Sequence, residues 1–167
     1  GGLCKSEKIN GWTFDYTGHL LHFRNEYAKN LVFKLLKGNL KKNIRRAYIY
    51  AFNRYIPYPF QANLYSLPPL IQKECVQGML DAKLRAKKPK NLKEWIISTF
   101  GKGIAKYFMI PYNQKMWKIP LKDISPYALT KYAPVLSVDD IVKGMVKNKP
   151  EKFGYNVQFW YPCSGGI

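Results

Sequence analysis

Short runs in which large apolar side chains alternate with polar ones predict β-strands in three parts of the chain. Residues 12–16 form one such run. A β-hairpin is predicted over residues 45–60, because two β-branched and aromatic runs flank a break at residues 52–54. Residues 155–161 alternate in the same way and predict a strand near the end of the chain.

Apolar residues at helical spacing, bounded by capping residues and prolines, predict four helices. Asn25 caps the first helix, with Leu31 and Leu35 facing inward. Pro68 and Pro69 start the second helix, whose apolar face contains Cys75 and Met79. The predicted helices cover residues 25–37, 68–86, 91–108 and a short stretch after 137.

The remaining features of this pattern are breaks and caps. Asn91 and Glu94 form a capping box for the third helix, which Gly101 and Gly103 interrupt. Residues 111–126 contain several prolines and aromatics and are predicted to be a connection. Together these elements predict an α+β fold, with three to five helices beside a hairpin or small antiparallel sheet.

The charge of the chain changes this picture only slightly. Lys and Arg total 28 and Asp and Glu total 10 in 167 residues, which gives a net charge of +18. A nucleic-acid-binding module is therefore one alternative. The bases are mostly Lys, and the aromatics occupy core-like positions, which argue against it. An anionic substrate is the other alternative, and most of the lysines are expected to be solvated.

Cysteine usage and hydropathy indicate where the protein resides. Cys4, Cys75 and Cys163 are far apart, and no CxxC or metal-type spacing with the two histidines is present. Free thiols fit a reducing compartment, so a cytoplasmic location is predicted and no metal site is expected. No apolar run is long enough for a transmembrane helix.

Several segments are candidates for chemistry. His19 and His22 are either buried structural imidazoles or cofactor-side residues, the second alternative being supported by Gly18, which allows close backbone approach. Residues 112–117 place Tyr, Asn, Lys and Trp together after a proline. They either fill the core or line a site for a ring-bearing ligand.

Several motifs occur in one order along nearly the whole chain. The motifs are GGLCKS, GWTFD, GHLLH, IPYPFQANL, YNQKMW and YPCSGG, at residues 1–6, 11–15, 18–22, 56–64, 112–117 and 161–166. In this order they resemble the flavin amine-oxidase superfamily, in its protoporphyrinogen-oxidase-like and UDP-galactopyranose-mutase-like branch.

The resemblance implies an FAD-dependent enzyme of which this chain is an internal fragment. The glycine-rich pyrophosphate turn of that superfamily has no counterpart here. We therefore expect the fragment alone to be inactive and to bind FAD weakly or not at all. The implied organisation is a part of a Rossmann-like FAD-binding domain at 1–24, a mainly helical substrate-binding domain at 25–154, and a strand and return loop at 155–167. The absent FAD-domain segments are its implied partners.

The resemblance also implies roles for individual residues. The positions that match the superfamily's cofactor-binding residues are Gly1, Gly2, Ser6, Gly18, His19, Gly165 and Gly166. The positions that match its substrate-binding residues are Asn63, Tyr112, Lys115 and Trp117. Arg24, Arg45 and Arg54 are candidates for holding a diphosphate by their chemistry alone. No catalytic side chain is assigned, because flavin supplies the chemistry.

Two activities follow from the resemblance. The first is a mutase or oxidoreductase that acts on a nucleotide-sugar in cell-surface polysaccharide metabolism. The alternative is an oxidase of an amine, a porphyrinogen or a polyene. A nucleotide-sugar site needs an aromatic ring for the base and cations for the diphosphate, whereas an amine-oxidase site favours an aromatic cage with few cations.

Overall fold

The computed structural model describes residues 2–85, 88–130, 133–146 and 157–166. The chain divides into two compact units, one formed by residues 1–45 with 156–167 and the other by residues 46–155. The second boundary agrees closely with the predicted domains. The first differs, because residues 25–45 belong to the unit that contains both ends of the chain. The assignment of these parts to FAD-binding and substrate-binding domains stays a prediction.

The first unit begins with a β-hairpin. Strands β1 (Ser6–Ile9) and β2 (Trp12–Asp15) pair antiparallel, with Ser6 opposite Asp15. Asn10 and Gly11 form the turn, and both have a positive φ, of 51° and 82°. An Asn-Gly pair suits this turn because both residues tolerate the left-handed region. The predicted strand at 12–16 is confirmed, and the prediction missed its partner.

Helix α1 (Glu26–Leu36) follows, and the Asn25 side chain accepts a hydrogen bond from the Ala28 amide at 3.0 Å. The cap was predicted correctly. The inward orientation predicted for Leu31 and Leu35 is wrong, because both side chains are exposed. α1 packs through its neighbouring face instead, where Phe33 contacts two other aromatic rings, those of Phe23 and Trp160.

A second sheet closes the first unit. Strand β3 (Lys41–Ile44) pairs antiparallel with β6 (Gln158–Tyr161), a strand more than 110 residues later in the chain. The predicted strand at 155–161 is confirmed from Gln158 onward, and its first two residues lie outside the described part of the chain. β3 was not predicted.

The second unit opens with the predicted hairpin. Strands β4 (Tyr48–Ala51) and β5 (Arg54–Pro57) pair antiparallel across a two-residue turn at Phe52 and Asn53. Two single turns of 3-10 helix, Phe60–Ala62 and Leu64–Ser66, then lead into the helices.

Helices α2 (Pro69–Leu84) and α3 (Leu92–Ile104) form the main helix pair of this unit. The capping box is confirmed, since Asn91 Oδ1 accepts from the Glu94 amide at 3.0 Å and Glu94 Oε2 accepts from the Lys90 amide at 2.9 Å. The burial predicted for Cys75 and Met79 is also confirmed. Burial raises the pKa of the Cys75 thiol to about 12.

The two helices cross at glycines. A Cβ on Gly78 would lie 2.8 Å from the Gly103 amide nitrogen, and one on Gly103 would lie 2.6 Å from Cys75 Cα. Gly101 has φ 76° and ψ 166°, which kinks α3, and a Cβ there would overlap the Gly78 carbonyl. The glycines predicted to interrupt the helix thus also allow its backbone to touch that of α2.

The chain stays helical beyond α3. Residues Ala105–Met109 form a π-helical turn that leads directly into α4 (Ile110–Trp117). The prediction of a connection from residue 111 is therefore wrong for its first seven residues. Pro111 is accommodated because it lies in the first turn of α4, where a missing amide proton costs little.

The last helix is α5 (Val138–Val146). Ser137 Oγ accepts from the Asp140 amide at 3.1 Å, and Asp140 Oδ2 accepts from the Ser137 amide at 3.2 Å. The predicted cap is confirmed, and these hydrogen bonds lower the pKa of Asp140.

The hydrophobic core of the described residues lies entirely in the second unit. It comprises residues of the hairpin, both 3-10 turns and all four helices of that unit. Its fully buried large side chains are Ile56, Phe60, Leu64, Met79, Leu92, Ile96, Phe100, Ile104 and Ile141. The fold is α+β with two-stranded antiparallel sheets, as predicted. Among the described helices, none combines the length and apolar character needed to cross a membrane.

Candidate functional site

Three stacked aromatic rings connect the two segments in which substrate-binding residues were predicted. The Phe60 and Phe108 rings lie 5.1 Å apart and nearly parallel, and the Phe108 and Tyr112 rings lie 5.4 Å apart at 27°. Phe60 is fully buried and Phe108 nearly so, whereas Tyr112 is 52% exposed. The stack therefore begins in the core and ends in a ring with an accessible face, and we call it the ring stack.

Helix α4 determines which predicted residues accompany Tyr112. Lys115 follows three residues later, so it lies on the same side of the helix and is also exposed. Trp117 follows five residues later, which places it about 140° around the helix from Tyr112. It is 38% exposed and occupies the last helical position. Tyr112 and Lys115 are thus brought together, and Trp117 lies on another side of α4.

Asn63 is near the buried end of the ring stack. Its amide nitrogen bonds to the Phe60 carbonyl at 3.1 Å, and its side-chain Nδ2 donates to the Pro59 carbonyl at 3.0 Å. The residue is fully buried between the two 3-10 turns. In this arrangement Asn63 shapes the turn that carries Phe60.

Two buried side-chain amides beside the ring stack were not predicted from the sequence. Gln61 and Asn113 are each 1% exposed, and each donates to a backbone carbonyl, that of Pro134 at 2.6 Å and that of Met109 at 2.7 Å. Gln61 Oε1 and Asn113 Oδ1 have no hydrogen-bond partner among the described residues. A buried acceptor without a donor is costly, so these oxygens are candidates for binding a hydrogen-bond donor. The sequence signal was their adjacency to Phe60 and Tyr112.

The predicted cofactor-binding residues lie in the first unit, except Gly1, which is outside the described residues. Gly166 packs against the side chain of Ser6, since an added Cβ would lie 2.6 Å from Ser6 Cβ. Ser6 Oγ donates to Asp15 Oδ1 at 2.5 Å, and Tyr161 donates to the other oxygen of the same carboxylate. This hydrogen bond raises the pKa of Tyr161.

The other predicted cofactor-binding residues are more open. An added Cβ on Gly2, Gly18 or Gly165 would meet no atom of the described residues within 4 Å. Such open backbone fits the close approach of a flat ring system. The half-buried His19 ring contacts Thr17 Oγ1, with 3.1 Å between that oxygen and Nε2. The open glycines therefore fit a flavin, whereas Ser6 and Gly166 contact each other.

The candidate arginines lie in different units. Arg54 is in the second unit and donates from Nη1 to the Ser66 carbonyl at 3.0 Å. Arg24 and Arg45 are in the first unit. No group of three His, Cys, Asp or Glu residues that could hold a metal ion occurs in the described part of the chain.

The fold defined by these elements is shared with a solved flavin-type mutase. No protein-family model matches the chain. A crystal structure of reduced UDP-galactopyranose mutase matches it with a TM-score of 0.88 and 29% sequence identity. The match covers 99% of this chain and 36% of the mutase chain, so this chain spans about a third of the length of that protein. The likeness supports a relation at the level of the superfamily.

Proposed function

We propose that the chain supplies the nucleotide-sugar-binding part of an FAD-dependent enzyme similar to UDP-galactopyranose mutase. The observation that carries the proposal is the ring stack, which presents the half-exposed face of Tyr112 beside a cationic side chain, Lys115. A nucleobase can stack on an exposed aromatic face, and a lysine ammonium attracts the attached diphosphate.

The buried amides support a base with a ring N–H donor. Gln61 Oε1 and Asn113 Oδ1 each lack a donor and flank the residues of the ring stack in sequence. Uracil is flat and carries one such N–H between two carbonyl groups, so it complements both an aromatic face and an amide oxygen. Because both oxygens are covered by protein, a base reaches them only after neighbouring side chains move.

The solved neighbour favours the mutase over the alternative oxidase. Its title names a UDP-sugar mutase in a reduced state, which is consistent with a redox cofactor. In this proposal FAD supplies the chemistry, Gly2, Gly18 and Gly165 lie where its ring could approach, and Tyr112 and Lys115 bind and orient the substrate. These assignments come from the superfamily resemblance and the open backbone at those glycines.

Titration of the 167-residue chain with UDP tests the proposal. We expect saturable heat in calorimetry at millimolar UDP or below, and a change in tryptophan emission. Tyr112→Ala should weaken UDP binding about tenfold, since stacking of one base contributes about 1 to 3 kcal/mol. Tyr27→Ala, a matched loss of an exposed tyrosine on α1, should leave it unchanged. Absence of UDP binding at millimolar concentration would reject the proposal.

A further inference from the structure

Three side chains connect helix α2 to the π-helical turn that precedes α4. Tyr107 Oη donates to Glu74 Oε2 at 2.6 Å. Lys106 Nζ lies 2.9 Å from Tyr107 Oη and 3.3 Å from the same carboxylate oxygen. We call these residues the Glu-Tyr-Lys triad. The Tyr107 hydrogen bond lowers the pKa of Glu74, and hydrogen bonds from Tyr107 and Glu74 raise that of Lys106.

The triad lies at the place where the helices touch by their backbones. Glu74 is on the turn of α2 against which Gly103 packs, 2.6 Å separating an added Gly103 Cβ from Cys75 Cα. The π-helical turn starts two residues after Gly103. Glu74 and Lys106 also line a surface cleft of about 350 Å³ between α2 and α3. One turn of α2 thus contacts the start of the π-helical turn through its backbone and its middle through side chains.

A π-helical turn needs such support, because its i→i+5 hydrogen bonds are rare outside single turns. The turn contains one residue more than an α-helical turn. It therefore rotates everything that follows by about 100° relative to a continuous α-helix. This rotation accompanies the burial of Ala105, Met109 and Asn113 on one side and the exposure of Tyr112.

We infer that Glu74, Tyr107 and Lys106 are positioning residues for the candidate site. By holding the wide turn at Ala105–Met109, they keep the Tyr112 ring at the surface and the Asn113 side chain in the interior. Its consequence for ligand binding rests on the proposed function, whereas the placement of Tyr112 does not.

Tyr107→Phe in the 167-residue chain removes one hydroxyl and keeps the ring that packs on Phe52 at 5.5 Å. We expect amide hydrogen exchange over residues 105–113 to accelerate about three- to tenfold, as one charge-assisted hydrogen bond on a partly exposed surface is lost. Oxidative footprinting of Tyr112 should change at least about twofold, with Tyr55 as internal reference, and UDP affinity should fall about three- to tenfold.

Two further variants make the result specific. Tyr127→Phe, a matched change at an exposed tyrosine of the same unit, should alter none of the three readouts. Glu74→Gln keeps an acceptor of the same shape without its charge and should produce an intermediate effect on all three. Equal effects of Tyr107→Phe and Tyr127→Phe would overturn the inference.

The outcomes also separate this inference from the proposed function. If the unaltered chain does not bind UDP, the proposed function fails, while exchange and footprinting still decide whether the triad positions Tyr112. If exchange accelerates but neither the Tyr112 footprint nor UDP affinity changes, the triad only stabilises the turn and the inference is wrong.

Discussion

The two units of the chain are stabilised in different ways. The unit of residues 46–155 contains every buried hydrophobic residue of the described core. The unit of residues 1–45 and 156–167 instead exposes many large apolar side chains: Leu3, Ile9, Trp12, Phe14, Tyr16, Tyr27, Leu31, Leu35 and Ile44. It is held by strand pairing, by the Phe23, Phe33 and Trp160 rings and by polar contacts such as those of Asp15.

This difference predicts different responses to the same substitution. Two-stranded sheets without a buried core are marginally stable, and regions with few buried apolar contacts open at low free-energy cost. In the second unit, one side chain contacts a shared core, so its loss affects the whole unit. In the first unit, the loss should remain local.

Glycines with positive φ give the largest expected contrast. Gly101→Ala should destabilise the second unit by more than about 3 kcal/mol, because its φ and ψ are accessible essentially to glycine alone and the Cβ would overlap the Gly78 backbone. Gly165→Ala also has a positive φ, of 89°, but open space around it among the described residues. It should cost about 1 to 2 kcal/mol.

Urea unfolding followed by far-ultraviolet circular dichroism measures the first variant, and hydrogen exchange of residues 158–166 measures the second. Equal losses in the two variants would show that strain of the backbone, and not the contact of α2 with α3, dominates at Gly101.

The elements that local chemistry determines were predictable from the sequence. Asn25, Asn91 and Ser137 each cap the helix assigned to them, because their side chains bond to amides three residues away. The hairpin at 48–57 was equally accessible, since its register depends on the turn. The pairing of β3 with β6 was not, because it joins segments more than 110 residues apart.

The candidate site was only partly predictable for the same reason. Tyr112 and Lys115 carry chemistry that the residue type reveals, and they share a face of α4. Gln61 and Asn113 matter because their oxygens are buried without a donor, which depends on tertiary packing. The π-helical turn depends on the contact with α2, so the sequence indicated a connection at Pro111 where the chain is helical.

Isoleucine truncation compares packing in the two units with one chemical change. Ile96→Ala removes a side chain with no exposed surface and should cost about 2 to 5 kcal/mol. Ile9→Ala removes one that is 52% exposed and should cost less than about 1 kcal/mol. Urea midpoints with a shared m-value provide the measurement. A cost for Ile9→Ala as large as that for Ile96→Ala would mean that the first unit packs in solution more tightly than its exposure indicates.

Helix caps give the smallest contrast, because the two lost hydrogen bonds are alike. Asn25 and Asn91 each accept from a backbone amide at 3.0 Å, and replacement of either by Ala should cost about 1 kcal/mol. α3 packs in the core, so Asn91→Ala should lower the urea midpoint of the whole second unit. α1 buries none of its residues, so Asn25→Ala should mainly accelerate amide exchange in the first turn of α1. Asn→Asp at either position restores an acceptor and should reverse each effect. If Asn25→Ala also lowered the midpoint of the second unit, the two units would unfold together and the comparison between them would fail.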